Sequence, residues 1–229
     1  MQLFYKTDFH DNIFLDKNES KHLIKVLRKK NNDIINITDG IGNLYIAEII
    51  NDNPKACQLR LVEKKKKKKH KYNLHIAIAP TKNIERFEWF LEKATEIGID
   101  EITPLICEKS ERRKIKIERC EKIIISALKQ SLKFHKPKLN PPTLFNDFVK
   151  KENHDKKYIA SCNDLDNLEL KNEDAHKSCT ILIGPEGDFS IDEVSKSIKN
   201  NFEHIILGKS RLRTETAGIV AVSCINMKF

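Results

Sequence analysis

The sequence predicts a small β domain followed by a larger α/β domain with a parallel sheet. Two observations support this prediction. The first 62 residues contain three short runs rich in β-branched residues, whereas strand-like and helix-like segments alternate from residue 72 onward. Such alternation is typical of a parallel sheet with helices on both faces. We therefore expect two domains, residues 1–71 and 72–229, joined by a lysine-rich stretch.

In the first part, strands are expected at residues 34–38, 43–50 and 56–62. Asp39-Gly40-Ile41-Gly42 carries the Asp and Gly that favour a hairpin connection between the first two strands. Residues 20–29 are the one helical segment, because their apolar side chains recur at helix-like intervals. These elements predict a compact β domain.

Six consecutive lysines occupy residues 64–69 and are followed by His70 and Lys71. Like charges repel, so we expect a solvated hairpin tip or linker, with contact to RNA phosphates as the alternative. Residues 1–71 hold a net charge of +7 of the chain's +9. A basic balance favours an anionic partner such as RNA, DNA or a membrane surface, although a lysine-biased proteome would produce the same excess.

In the second part, strands are expected at residues 73–79, 101–106, 158–162, 179–183 and 204–207, and helices at 84–98, 117–133, 190–201 and 214–227. Ser190 and Glu193 have the spacing of a capping box, and Phe189 and Val194 that of a hydrophobic staple, so a helix begins there.

The helix at 84–98 has an apolar stripe that should face the core. Lys82, Arg86 and Lys93 fall within about 40° of one another at helical periodicity and should share a basic face. Trp89 and Phe90 lie on the same segment. Either ring can stack on a base, but packing in the core is the expectation for both.

Several classes of function are disfavoured by what the sequence lacks. No two of the six cysteines are closer than 13 residues, and the eight histidines form no pair with metal-ligand spacing, so no metal is expected. Cys179 and Cys224 lie in apolar runs, which suits buried, reduced thiols. Neither a signal peptide nor an apolar run of about 20 residues is present, so a cytoplasmic protein is expected. Familiar nucleotide-binding, metalloprotease and hydrolase motifs are also missing.

The seven glycines include two that bracket Pro185-Glu186, at Gly184 and Gly187, and Gly208 at the end of the next predicted strand. Ligands of open α/β sheets bind at the carboxyl ends of the strands, and glycine lets a ligand approach the backbone closely. These turns therefore favour a ligand site, although glycines also end strands in proteins that bind no ligand there.

Gly184-Pro185-Glu186-Gly187, Leu207-Gly208 and Leu212-Arg213-Thr214-Glu215-Thr216-Ala217 together resemble the RsmE family of 16S ribosomal RNA methyltransferases. Earlier segments resemble the same family in order: His22-x-x-x-Val26-Leu27-Arg28, Asp39-Gly40-x-Gly42, Lys82-x-x-x-Arg86, Glu92-Lys93-Ala94-Thr95-Glu96-x-Gly98 and Gln130-Ser131. The chain departs from the family pattern at Asp188, where a glycine is usual, and at Ser210-Arg211.

The resemblance implies a SPOUT-type α/β fold, in which a parallel sheet with a C-terminal trefoil knot follows a small PUA-like β-barrel domain. It implies S-adenosylmethionine as the methyl donor and N3 of a uridine in 16S rRNA of the small ribosomal subunit as the acceptor. It also implies a homodimer, for which the nearly all-apolar helix at 214–227 is the expected interface.

By the same resemblance, main-chain groups of three loops hold the adenine and ribose of the donor. The residues of these loops are Ile183, Gly184, Pro185, Glu186, Gly187, Leu207, Gly208, Leu212, Arg213, Thr214 and Thr216. An adenine edge needs only a few amides and carbonyls in an apolar slot. This mode of binding explains why no nucleotide fingerprint is found.

Removing the N3 proton of uracil places negative charge on the ring oxygens, which a fixed cation stabilises. Arg213 is the candidate cation, and Glu215 is the candidate that orients Arg213 or accepts the proton. The alternative is structural: Thr214 caps the helix and Glu215 lies in its first turn.

Contacts with RNA phosphates are expected from six basic residues: Lys25, Arg28, Lys82, Arg86, Lys93 and Arg112. For each of them a solvated basic face is the alternative. Two other functions remain open for the whole chain. One is a non-catalytic RNA-binding protein on the same scaffold, and the other is a SPOUT enzyme that acts on another RNA, such as transfer RNA.

Overall fold

The computed structural model describes residues 2–9, 13–152, 154–162 and 168–229. The chain forms two compact units. The first comprises Met1–Lys69 and Ile125–Lys136, and the second His70–Ile124 and Pro137–Phe229. The expected division after residue 71 thus lies close to the first junction, but the sequence did not predict that the segment 125–136 joins the first unit.

The first unit contains one five-stranded sheet in the order β1-β3-β4-β5-β2. Its strands are β1 Leu3–Tyr5, β2 Ile13–Phe14, β3 Ile34–Thr38, β4 Asn43–Asn51 and β5 Gln58–Lys66. The expected helical segment is a short helix, α1 Lys17–Lys21, continued by a π-helical turn, His22–Val26. Alternate residues of β4 (Tyr45, Ala47 and Ile49) are buried in the core of this unit.

The lysine run is partly strand, which corrects the expectation of a hairpin tip or linker. Lys64 and Lys66 pair with Tyr45 and Asn43, so β5 continues into the run. The Lys64 ammonium lies 5.2 Å from the centre of the Tyr45 ring, an attractive arrangement for a cation. These lysine side chains are exposed, so the charge stays solvated while the backbone is held in the sheet.

The expected hairpin connects β3 and β4, which pair in antiparallel register. Gly40 and Gly42 have φ values of +78° and +95°, a region that favours glycine. The Asp39 carboxylate accepts hydrogen bonds from the Ile41 amide at 2.9 Å and the Tyr45 hydroxyl at 3.0 Å, among others. Burial alone would raise the pKa of Asp39, but these hydrogen bonds together hold it below its usual value.

The second unit has an entirely parallel sheet, as predicted, in the order β11-β13-β10-β12-β6-β7-β8, with β9 also beside β7. Its strands are β6 Asn73–Ile78, β7 Glu101–Ile106, β8 Lys138–Leu139, β9 Thr143–Leu144, β10 Lys156–Ala160, β11 Leu168–Glu169, β12 Ser178–Ile183 and β13 Glu203–Ile206. The remaining α-helices in the described residues are α2 Ile84–Ile97, α3 Ile117–Gln130, α4 Phe145–Lys151, α5 Ile191–Lys199 and α6 Thr214–Asn226.

Helices cover both faces of this sheet, as the alternation of strands and helices predicted. Ile181 of β12 belongs to a buried cluster with residues of α2, α3 and α6, whereas its neighbour Leu182 belongs to one with residues of α4 and α5. Successive side chains of a strand point to opposite faces, so these two clusters lie on opposite sides of the sheet.

Three local expectations can be compared with the structure. The capping box of Ser190 and Glu193 is confirmed, with both reciprocal hydrogen bonds present. Phe90 is fully buried as expected, but the expectation for Trp89 is wrong, because 43% of its surface is exposed. Lys82 precedes α2, whose N-cap is Asn83, so it does not share a helix face with Arg86 and Lys93.

All six cysteines are free thiols. Among the residues that the structure describes, no helix is long and apolar enough to cross a membrane.

Candidate active site

Three loops meet at the carboxyl ends of β13, β10 and β12. These strands are neighbours in the sheet and run parallel, so the segments that follow them emerge at one edge. The sequence predicted a ligand site from the loops after β12 and β13. It did not predict the contribution of β10, since only the strand order shows that β10 lies between them.

Two cavities open at this edge. The larger, about 660 Å³, is lined by Leu207 and Gly208, and the smaller, about 260 Å³, by Gly184 and Arg213. The two cavities share five lining residues: Ala160, Cys162, Arg211, Leu212 and Ala217. They therefore adjoin, and the larger alone has the volume typical of a site for a small molecule.

Most of the predicted cofactor residues line these cavities. The larger is lined by Leu207, Gly208 and Leu212, and the smaller by Ile183, Gly184, Pro185, Glu186, Leu212, Arg213 and Thr214. Gly187 lies in the same turn as Gly184, and Thr216 lies in the first turn of α6, but neither lines the two cavities. The predicted segments are therefore brought together, although these two residues are not part of the cavity lining.

The turn after β12 is fixed by contacts from outside it. A Cβ atom on Gly184 would lie 3.1 Å from the Phe189 ring, so glycine permits the tight packing there. The Thr214 hydroxyl donates to the Gly184 carbonyl at 3.0 Å, which joins the turn to the start of α6. The Lys109 ammonium donates to the Gly187 carbonyl at 3.0 Å. The backbone groups of this turn are thus held in place before any ligand arrives.

The structure explains one departure from the family pattern, the aspartate at position 188. Its φ of +59° lies in the left-handed region, where glycine is favoured and aspartate is among the better-tolerated alternatives. The Asp188 carboxylate accepts a hydrogen bond from the Cys162 amide at 2.9 Å. The side chain that glycine lacks therefore ties the turn after β12 to the segment after β10.

Gly208 differs from the other glycines of the site because none of the described residues fills the space beside it. An added Cβ atom would find no heavy atom within 4 Å, and Gly208 has a φ of +154°. Its missing side chain thus leaves open volume in the larger cavity rather than a packing contact.

The segment after β10 adds residues that the sequence did not suggest. Ser161 lines the larger cavity, and its hydroxyl lies 2.7 Å from Nε2 of His204. Burial lowers the pKa of His204, which favours the neutral ring, and its Nε2 can then accept a hydrogen bond from the Ser161 hydroxyl. The sequence did not predict that Ser161 and His204 lie together, because their proximity depends on β10 and β13 being neighbours in the sheet.

Arg213 is exposed at the rim of the smaller cavity. Its side chain makes no hydrogen bond or ion pair with the part of the chain that the structure describes. Arg213 is also the N-cap of α6, so the structural alternative is wrong in making Thr214 the cap, although it is confirmed in placing Glu215 in the first turn. The Thr214 hydroxyl bonds Gly184 across the site instead of its own helix.

Glu215 is paired with Arg86, which corrects the expectation that it orients Arg213. Oε1 of Glu215 lies 3.9 Å from Nε of Arg86, and its side chain is 9% exposed. Its other oxygen, Oε2, is buried without a hydrogen-bond partner among the described residues. A buried carboxylate oxygen left in this state is costly, so it favours a proton donor arriving with a ligand.

The predicted RNA contacts differ in how free their charges are. Lys25 and Arg28 are exposed in the first unit. In the second unit, Lys82 pairs with Glu111 at 2.9 Å, and Lys93 with Glu92 and Glu96. The Arg112 guanidinium donates to the carbonyls of Thr81 and Lys82 and so helps to hold the loop before α2. Arg113 and Lys114, which the sequence did not single out, line a cavity of about 490 Å³ together with Lys82, Glu111 and Arg112.

Two family models match the chain. The RNA methyltransferase domain matches residues 67–226, and the RNA methyltransferase PUA domain matches residues 15–62. Together they cover both units of the fold and include every loop of the candidate site.

Named relatives match over most of their length. The chain is 33% identical to ribosomal RNA small subunit methyltransferase E of Buchnera aphidicola from Acyrthosiphon pisum, with 97% of this chain and 90% of that protein covered. It is 32% identical to the protein of the same name from Rickettsia conorii, with 90% and 86% covered.

Two solved structures share the fold over nearly the whole chain. A probable rRNA methyltransferase from Porphyromonas gingivalis has a TM-score of 0.95 and 38% identity, covering 100% of this chain and 98% of that one. A putative methyltransferase from Legionella pneumophila, solved with its bound cofactor S-adenosylmethionine, has a TM-score of 0.90 and 26% identity, covering 99% and 97%.

Proposed function

Because the chain belongs to the family that the RNA methyltransferase domain defines, we propose that it methylates N3 of a uridine in 16S rRNA of the small ribosomal subunit. The observation that carries the proposal is Arg213, whose guanidinium has no partner among the described residues and lies at the rim of an open site lined by Gly184. The names of the relatives support ribosomal RNA of the small subunit as the substrate. This substrate is made and assembled in the cytoplasm, which is where we expect the enzyme to act.

S-adenosylmethionine is the cofactor of this family, and the residues present fit it. The open space beside Gly208 and the volume of about 660 Å³ accept a nucleoside, and the loops offer amides and carbonyls for an adenine edge. The residues that would hold it are Ile183, Gly184, Pro185, Glu186, Leu207, Gly208, Leu212, Arg213 and Thr214, with Gly187 and Thr216 supporting the same loops. When bound, it supplies an electrophilic methyl group.

Arg213 acts on the acceptor base. Loss of the N3 proton spreads negative charge over the two carbonyl oxygens of uracil, and a guanidinium has several donors with which to meet them. Among the residues that the structure describes, no carboxylate pairs with this side chain, so no ion pair within them has to break before it contacts the base. This interaction is stronger with the anion than with the neutral base, and it therefore lowers the barrier.

Glu215 is our candidate for the proton acceptor. Its unpartnered Oε2 is the feature that supports this role, because a proton arriving from the substrate satisfies that buried oxygen. Arg86, 3.9 Å away at Oε1, then positions the carboxylate and is not itself a phosphate contact.

RNA binds, in this proposal, through basic side chains whose charges are free. Lys25 and Arg28 in the first unit are exposed and have no ion pair among the described residues, whereas Lys82, Lys93 and Arg112 already have partners in the second. Phosphate contacts supply most of the sequence-independent affinity for a nucleic acid, so binding should weaken steeply with salt.

We also propose a homodimer and a knotted chain. The α6 helix is apolar on several sides, and Ile219 and Val220 remain half-buried after it packs on its own unit, which favours cover by a second copy. The path of the chain supports the knot. In the sheet, β13 lies on the far side of β10 from β12, yet the next helix, α6, packs on α2, β6 and β12. Light scattering at micromolar concentration tests the dimer, and a monomeric mass would contradict it.

Mass mapping of small-subunit rRNA tests the proposed reaction. Small subunits from cells that lack the gene are incubated with the purified protein and S-adenosylmethionine, and the new modification is located by mass and by base. We expect one methyl group on N3 of one uridine with the wild-type protein, and a rate on the order of 100-fold lower with Glu215→Gln.

Three results would contradict the proposal. Absence of any methyl group while the protein binds RNA would favour the non-catalytic function. Methylation of transfer RNA alone would favour another substrate. A methyl group at a different atom of the base would exclude the N3 chemistry assigned to Arg213.

A further inference from the structure

Two histidines and a glutamate form a cluster in the second unit, away from the loops of the candidate active site. Nδ1 of His75 lies 3.1 Å from one carboxylate oxygen of Glu152. Nδ1 of His154 contacts the other oxygen of the same carboxylate. One potential ligand atom from each residue can be chosen so that all three lie within 4.8 Å of one another.

The cluster lies toward the amino ends of the parallel strands. His75 and Thr180 are paired residues of β6 and β12, each three residues before the end of its strand. At about 3.3 Å per residue, this position is roughly 10 Å from the carboxyl edge. The cluster is therefore separate from the cavities beside Gly184 and Gly208, and nothing in the proposed reaction uses it.

The side chains are largely shielded from water. The side chains of His75, Glu152 and His154 are 4%, 8% and 15% exposed. A buried carboxylate is stable only when it is paired or coordinates a metal. The two imidazoles supply such pairing, and they are also the ligands that Zn²⁺ takes most readily together with a carboxylate.

The spacing of the ligand atoms suits a small tetrahedral ion. Ligand bonds of about 2.0–2.1 Å at the tetrahedral angle place neighbouring ligand atoms roughly 3.3 Å apart. The 3.1 Å separation between His75 and Glu152 is already near that value. The His154 ring contacts the same carboxylate, so an ion between the three side chains requires this ring to move outward.

The outer nitrogens of both rings already have partners. Nε2 of His75 lies 2.7 Å from the Thr103 hydroxyl, and Nε2 of His154 lies 3.2 Å from the Asn73 amide. When each Nδ1 binds a metal, the proton moves to Nε2 and is donated outward, to the Thr103 hydroxyl or to Asn73 after its amide turns. Such outer partners orient metal-bound histidines in known zinc sites.

A fourth ligand position is also provided for. The Thr180 hydroxyl lies 3.0 Å from Nδ1 of His154, on the same side of the ring as Glu152. The hydroxyl, or a water molecule bound to it, can complete a tetrahedral set. Two histidines and one glutamate with water in the fourth position form a known zinc coordination.

We propose that His75, Glu152 and His154 form a Zn²⁺ site that stabilises the second unit. The ion would join the segment between α4 and β10, through Glu152 and His154, to strand β6. The sequence predicts no metal site because such a prediction relies on cysteines and histidines that lie close together in the chain. Here the first ligand is 77 residues from the second, and the remaining pair is Glu-x-His, which is not a recognised zinc motif.

Metal titration of the full-length protein tests this proposal. The protein is treated with a chelator, dialysed and titrated with Zn²⁺ against a chromophoric competitor. We expect one tight ion per chain, and at least about 100-fold weaker binding in Glu152→Gln and His154→Gln, since loss of an outer partner alone costs 10–100-fold. Thr103→Val, which keeps all three ligands, should weaken binding by about 10–100-fold. His176→Gln, outside the cluster, is the matched control and should bind like the wild type.

Two measurements on the wild-type protein do not depend on the folding of any variant. Zn²⁺ at about 100 times its Kd should raise the Tm by about 5–10 °C, because the ion binds only the folded state. Co²⁺ should give the absorption of a nitrogen and oxygen site without a thiolate band. Failure of the wild type to bind Zn²⁺, equal binding by Glu152→Gln, or a thiolate band from a cysteine such as the exposed Cys162 would each overturn the proposal.

Discussion

Two turns of the chain contain glycines, but they differ in what surrounds the position that a side chain would occupy. In the first unit, a Cβ atom on Gly42 would lie 2.4 Å from the His135 ring, and one on Gly40 would lie 2.9 Å from the Tyr5 ring. In the second unit, a Cβ atom on Gly208 would meet no heavy atom within 4 Å. The first turn is filled by the protein itself, whereas the second faces open space.

This difference separates a glycine that serves folding from one that serves a ligand. Both turns have a positive φ, so the backbone conformation alone does not distinguish them. The neighbours do. Space that the protein fills cannot receive a ligand, and space left open at the carboxyl edge of a parallel sheet is where ligands of such folds bind.

The largest effect is expected at the open turn. Gly208→Val should abolish binding of S-adenosylmethionine, because the branched side chain occupies the volume that the ligand needs. Its cost in stability should be limited to backbone strain, about 1–3 kcal/mol, since no neighbour is displaced. Calorimetry at up to millimolar ligand, together with a thermal melt, measures both quantities.

Gly42→Val is the matched control for that experiment. It places the same side chain on a backbone of positive φ, but against His135 and the Lys67 carbonyl, so it should lower stability further while cofactor affinity stays near that of the wild type. If Gly208→Val binds the cofactor normally, or if Gly42→Val loses that binding in a folded protein, the contrast between the turns is wrong.

The next effect is expected at the rim of the open site. Arg213→Ala should slow single-turnover methylation of small subunits by about 100–1000-fold, the usual cost of removing one transition-state donor. Binding of S-adenosylmethionine should change little, because the guanidinium acts on charge that develops in the base. Arg213→Lys keeps the charge and should recover part of the rate. A near-wild-type rate for Arg213→Ala would contradict this role and would favour a donor from a loop of a second copy.

A smaller effect is expected at the filled turn. Asp39→Ala should lower the free energy of unfolding by about 1–3 kcal/mol at pH 7, because several donors lose their acceptor. The pKa of Asp39 is lowered in the folded protein, so this stabilisation is present above its unfolded pKa of about 3.9 and is lost as the pH falls through the folded value. Denaturant unfolding from pH 7 to pH 3 should show the two proteins converging in acid. Asp174→Ala, at an exposed position, is the control, and an equal loss at every pH would contradict the assignment.

The smallest effect is expected at an exposed position outside both turns. Arg28→Ala should weaken RNA binding a few-fold and reduce the salt slope of binding by about one unit, as loss of one phosphate contact does. Arg60→Ala should leave the slope unchanged, because Arg60 is already paired with Glu48 at 2.6 Å. Binding curves at several salt concentrations decide, and equal slopes for Arg28→Ala and the wild type would remove Arg28 from the interface.

What the sequence predicted well was local. The capping box at Ser190, the Asp39–Gly42 hairpin and the apolar stripe of α2 depend on neighbouring residues, and each is present. The sequence also predicted that the glycine loops after β12 and β13 lie at the carboxyl edge of the sheet. This prediction is local as well, because a turn that follows a parallel strand lies at the carboxyl end of that strand.

What the sequence did not predict depends on strand order and packing. Ser161 reaches the site because β10 lies between β12 and β13, and Glu215 pairs with Arg86 because α6 packs on α2. Trp89 was assigned to the core from its apolar character, but its position on α2 leaves it exposed. Asp188 was seen only as a departure from a glycine, whereas its hydrogen bond to the Cys162 amide required the folded chain.

Hydrogen exchange of backbone amides with and without S-adenosylmethionine tests the central claim most directly, because that claim assigns cofactor binding to main-chain groups of named loops. We expect slower exchange on addition of the cofactor in residues 183–187 and 207–216, and no change in the filled turn at residues 39–43. Unchanged exchange in both loops at saturating cofactor, or protection confined to another part of the chain, would contradict the account.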